Sequence, residues 1–94
     1  MDSVIQTQLD VIRDDLMKEF LVVVQQLKAP PCDILVITLR VGSTLVRLDE
    51  LMNGPDYTRC ATPDQRNAFA ALLSGWKTLD EIVEPHFQAA LAPA

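Results

Sequence analysis

Apolar residues recur at helical spacing through the first segment of the chain, and this pattern limits the possible fold more than any other feature. The stripe has spacings of three and four residues and consists of Ile5, Leu9, Ile12, Leu16, Phe20, Val23 and Leu27. Such spacing places the side chains on one face of an α-helix. Ser3, followed three residues later by Gln6, has the form of a capping box. The pattern therefore predicts a long first helix over residues 3–28.

The second segment admits two interpretations, a helix over residues 33–53 or a strand over residues 33–41. The run from Ile34 to Leu39 is rich in β-branched residues, which favours a strand. Over its full length, however, the segment keeps the helical spacing through Ile34, Ile37, Val41, Leu45, Leu48 and Met52. Asp33 suits the N-cap position, and Asn53-Gly54-Pro55 is typical of a helix end. Burial of large side chains, at roughly 1.5–3 kcal/mol each, outweighs the lower helix propensity of β-branched residues, so we favour the helix.

The third segment has the clearest start signal. Thr62-Pro63-Asp64-Gln65 combines a capping hydroxyl, an early proline and a glutamine at the capping-box position. The apolar stripe then continues through Phe69, Leu72, Leu73, Trp76, Leu79, Val83 and Phe87. Pro85 is expected to end or kink the helix. We predict a helix over residues 63–84, a short C-terminal turn over residues 86–91, and a loop between Asn53 and Thr62.

The composition favours one all-helical domain. The chain has 94 residues, of which 49% are hydrophobic and only 3 are glycine. A chain of this length holds a single core, and so little glycine disfavours a β-sandwich or β-barrel with many tight turns. We therefore predict one domain over residues 1–94, an all-α antiparallel three-helix bundle with a long first helix. An α+β fold with residues 33–41 as a strand is the alternative.

The charge and the cysteines limit the partners and the compartment. The chain has thirteen acidic and only eight basic residues, which gives a net charge of −5. This negative charge disfavours nucleic acid and anionic membranes as partners. The sequence start is acidic and polar, unlike a signal peptide, and the longest apolar run, Phe20 to Val24, is too short to span a membrane. We predict a cytoplasmic protein with Cys32 and Cys60 as reduced thiols, and one disulfide bridge as the alternative.

The apolar surface exceeds what three helices can cover among themselves. The run from Phe20 to Val24 points in nearly every direction around the first helix, and the second helix has a thin polar stripe. Large exposed apolar patches usually mark interaction sites. We therefore predict a homodimer with helices one and two at a two-fold interface, and a helix of another protein as a further partner. The interface candidates are Phe20, Leu21, Val22, Val23, Val24, Ile34, Leu35, Leu39 and Val46.

Few residues are candidates for catalysis or ligand binding, and none of them forms a known motif. Arg40 and Arg47 lie seven positions apart on the second helix and are candidates for an anion site, although pairing with neighbouring acids is the simpler interpretation. The single histidine, His86, has no matched nucleophile or orienting acid. Cys60 lies in the predicted loop with Arg59 nearby, which can activate a thiol. The segment from Ala71 to Ile82 faintly resembles a helix-turn-helix, but its would-be recognition helix is acidic.

These observations favour a non-enzymatic protein–protein interaction module, such as an adaptor, a chaperone-like protein or a regulator. No cofactor, metal or catalytic residue is predicted. The alternative is a small helical enzyme or binding protein that holds an anionic ligand with Arg40 and Arg47. A weak helix-turn-helix-like DNA binder is the third hypothesis.

Overall fold

The computed structural model describes residues 2–28 and 33–91, and both ranges are helical apart from short connections. In chain order the helices are α1 (Asp2–Lys28), α2 (Ile34–Met52), α3 (Pro55–Cys60) and α4 (Pro63–Leu91). No strand occurs within these two ranges. The predicted all-α class is confirmed, and the strand alternative for residues 33–41 is wrong.

The start of α2 shows why this segment is a helix. The Asp33 carboxylate accepts hydrogen bonds from the N–H groups of Leu35 and Val36, at 3.2 and 3.3 Å. These bonds satisfy two of the backbone donors that a helix start leaves without partners. The core-facing side of α2 is buried at helical spacing, by Ile37, Val41, Thr44 and Leu48. Capping and burial together outweigh the strand propensity of the β-branched residues.

A fourth helix, α3, replaces most of the predicted loop, so the predicted number of three helices is wrong. Pro55 occupies the first turn, where its missing N–H needs no partner. Tyr57 is buried and meets Phe69 edge-to-face, with ring centroids 5.6 Å apart. This tertiary contact holds a helix of six residues, which is too short to be stable by itself.

The last helix is longer than the sequence predicts. It continues through Pro85 to Leu91, so the predicted end at residue 84 and the separate turn over residues 86–91 are wrong. Pro85 lacks the N–H that would bond the carbonyl of Glu81, but both residues are exposed, and water can satisfy that carbonyl. The capping box at the start of α4 is confirmed, because the backbone N–H groups and side chains of Thr62 and Gln65 bond reciprocally at 3.0 and 3.1 Å.

The first helix begins before its predicted cap. Asp2 is already helical, so Ser3 lies inside the helix and is not an N-cap. The Gln6 side chain donates instead to the carbonyl of Cys60, at 2.8 Å. Cys32, whose redox state was one of the predictions, lies outside the described residues.

Helix α4 is the element against which α1 and α2 both pack, and α2 packs on it more extensively. Helices α1 and α4 run in the same direction, because Gln6 meets Gln65 near both starts and Phe20 meets Gly75 further along. An added Cβ on Gly75 would lie 3.1 Å from the Phe20 ring, so the missing side chain allows this close approach. The largest fully buried side chains are Trp76, Phe69, Leu9, Leu48, Val23, Val41 and Val83.

Candidate interaction surfaces

The molecule is elongated, and this shape leaves much helix surface outside the core. Its radius of gyration is 15.2 Å and its extents are 55 × 22 × 16 Å. A compact domain of about 100 residues has a radius of gyration of about 13 Å. Long helices packed side by side in this way have outer faces that no other part of the described chain covers.

The outer face of α2 carries several large exposed apolar side chains within a short stretch of helix. We define the α2 outer face as Leu35, Val36, Leu39 and Val46, all of which are exposed. Leu39 is 70% exposed and Val46 is 58% exposed. These residues lie on the side of the helix away from the buried Val41 and Leu48. Exposed apolar side chains that share one face of a helix are a candidate interaction site.

Helix α1 also exposes apolar side chains, but charged residues separate them. The exposed members are Val4, Val11, Met17, Leu21 and Val22. The exposed Asp15 and Lys18 fall on the same side of the helix as Val11 and Val22. A partner that covered this side would have to remove two charges from water. The α2 outer face is therefore the better candidate for a buried interface.

The nine interface candidates divide into three groups. Exposed side chains are Leu21, Val22, Leu35, Leu39 and Val46. Half-buried side chains that pack against the core are Phe20, Val24 and Ile34. Val23 is 0% exposed and belongs to the core, so its prediction as a surface residue is wrong. Val36 was missed, although its position next to Leu35 in a short apolar run was a signal for it.

A groove separates α1 from α2 and contains one of the two arginines that the sequence pointed to. It has a volume of about 380 Å³ and is lined by Ile12, Leu16, Arg47, Glu50 and Leu51. Arg40 lies two turns earlier on α2 and is half-buried. Within residues 2–28 and 33–91, neither arginine forms an ion pair, so the predicted pairing with neighbouring acids is not found there. The anion site at Arg40 and Arg47 stays a prediction.

A partly buried polar cluster joins the starts of α1 and α4. We call it the polar junction and define it as Gln6, Asp10, Thr62 and Gln65. The amide nitrogen of the buried Gln65 donates to the Gln6 carbonyl at 2.8 Å and to the Asp10 carboxylate at 2.9 Å. Asp10 also pairs with Arg13 at 3.1 Å. Each polar group of Gln65 thus has a partner, as burial requires, and the junction fixes the register of the two helices.

The groups that the sequence analysis considered for chemistry lie apart in the fold. Cys60 is buried at the end of α3, where its sulfur donates to the Asp2 carboxylate at 3.5 Å. His86 is exposed near the other end of α4. At 1.5 Å per residue, α4 separates them by roughly 35 Å. Among the described residues, no three His, Cys, Asp or Glu side chains are grouped closely enough to hold a metal ion.

The loop environment predicted for Cys60 is wrong. The thiol closes the six-residue helix α3, and Arg59 next to it is exposed and pairs with Asp56 at 3.7 Å. A hydrogen bond with the Cys60 side chain is the main cause that raises the pKa of Arg59 above its ordinary value. The burial of Cys60 limits the access of reagents to its sulfur.

Residues 71–82, which resemble a helix-turn-helix in sequence, do not form one in the structure. The whole segment lies inside α4, which is continuous from Pro63 to Leu91. A helix-turn-helix needs a turn between two helices so that the second can enter the major groove. The geometry on which the DNA-binding hypothesis depended is therefore absent from this segment.

The single tyrosine provides a test of the contact between α3 and α4. Burial raises the pKa of Tyr57 above its ordinary value of 10.0, and the Arg66 guanidinium, 5.4 Å from the ring centre, partly offsets the shift. Burial favours the neutral phenol, so its stabilising effect is complete below pH 10 and is lost as the pH rises through the folded pKa. We expect the tyrosinate absorbance of the native protein to appear at higher pH than that of the urea-unfolded chain. Equal midpoints would contradict the buried position of Tyr57.

No helix in the described part of the chain has the length and apolar character needed to cross a lipid bilayer. The fold and the surfaces thus define a small all-helical protein with an exposed apolar helix face. Comparison of the chain with family models, with curated proteins and with solved structures found no match.

Proposed function

We propose that this chain is a non-enzymatic protein–protein interaction module that binds through exposed helix surface, and that a second copy of the chain is one of its partners. The α2 outer face is the observation that carries the proposal. Its side chains are large, apolar and exposed, and Leu39 has 70% of its surface in contact with water. Apolar surface gains roughly 25 cal/mol for every Å² removed from water, so a helix that covers this face would be stabilised there.

The arrangement of the core supports this assignment. The side of α2 that faces α4 already holds buried residues, including Ile37, Val41 and Leu48. The apolar residues on the opposite side therefore contribute nothing to the core of one chain. A helix that is hydrophobic on both sides is usually buried on both sides. The homodimer and the docking of another protein's helix both satisfy this requirement.

The anion-binding alternative has less support. The groove that contains Arg47 also contains Glu50, which opposes the binding of a negative ligand, and the whole chain has a net charge of −5. The cytoplasmic location expected from the sequence stays part of the proposal.

The mass of the protein in solution tests the proposal. We expect sedimentation equilibrium to give a mass that rises from that of one chain, 10.5 kDa, towards twice that value as the protein concentration increases. The reason is that an apolar helix face gains stability only when it is covered. A mass of one chain at every concentration, up to hundreds of micromolar, would contradict self-association.

A further inference from the structure

We draw no further inference here: the strongest candidate, the exposed apolar α2 outer face formed by Leu35, Val36, Leu39 and Val46, belongs to the surface already described, and nothing in the structure shows what covers it.

Discussion

Replacing Trp76 with alanine is expected to lower the free energy of unfolding by about 3–5 kcal/mol. Trp76 is 0% exposed, and the Phe20 ring stands edge-on to it with ring centroids 5.9 Å apart. The change removes the largest buried side chain and leaves a cavity where α1 meets α4. A domain of this length has a total stability of roughly 5–14 kcal/mol, so the variant should lose a large part of it. Urea unfolding followed by circular dichroism, at low protein concentration, measures the loss.

Two further variants show whether the loss comes from the core. The indole nitrogen of Trp76 is buried and has no hydrogen-bond partner among the described residues. Trp76→Phe removes this unpaired donor and keeps a ring, so its loss should be clearly smaller than that of Trp76→Ala. Leu39→Ala shortens an exposed side chain and should change the stability by less than about 0.5 kcal/mol. If Trp76→Ala were no more destabilising than Leu39→Ala, the central position of Trp76 would be wrong.

Local signals in the sequence were sufficient to predict the long helices and two of their caps. Asp33 and the pair Thr62 and Gln65 satisfy backbone groups within three residues of themselves, so their roles depend on the local chain alone. The same is true of the apolar stripes, because the period of a helix is fixed by its geometry. These features identify the all-α class before any tertiary contact is known.

Other features depend on contacts between distant residues, and the sequence could not show them. Helix α3 is held by the packing of Tyr57 on Phe69 and by the hydrogen bond from Gln6 to Cys60. The continuation of α4 through Pro85 depends on solvent access to the carbonyl of Glu81, which follows from how α4 is placed. The predicted breaks at these points followed local rules that tertiary structure overrides.

The candidate surface was predicted only in part for a similar reason. The five residues from Phe20 to Val24 cover all directions around α1, and the sequence does not say which directions its neighbours occupy. The neighbours bury Val23 completely and leave Leu21 and Val22 exposed. On α2 three of the four outer-face residues, Leu35, Leu39 and Val46, were identified, because the core side of that helix has its own complete apolar stripe.

The change Gln65→Glu is expected to destabilise the protein by about 3 kcal/mol at neutral pH, because it puts a negative charge into the polar junction. The amide nitrogen of Gln65 lies 2.8 Å from the Gln6 carbonyl and 2.9 Å from the Asp10 carboxylate. Glutamate replaces this donor with an acceptor that faces two other acceptors. Arg13 also lies near this carboxylate, but it already pairs with both Asp10 and Asp14, so its charge offsets only part of the repulsion.

The pH dependence of this variant identifies the cause. Burial and Asp10 both favour the protonated form of the new carboxyl, so its folded pKa is raised above the value of about 4.3 in the unfolded chain. The loss relative to the wild type should therefore shrink as the pH falls through the folded pKa, because the protonated carboxyl can again donate to Asp10. Gln65→Met removes the hydrogen bonds without adding charge, so its loss of stability should depend on pH less steeply than that of Gln65→Glu. Asn67→Asp adds the same charge at an exposed position of α4 and should change the stability by less than about 0.5 kcal/mol. A loss in Gln65→Glu that did not shrink on acidification would show that the charge at the polar junction is not its cause.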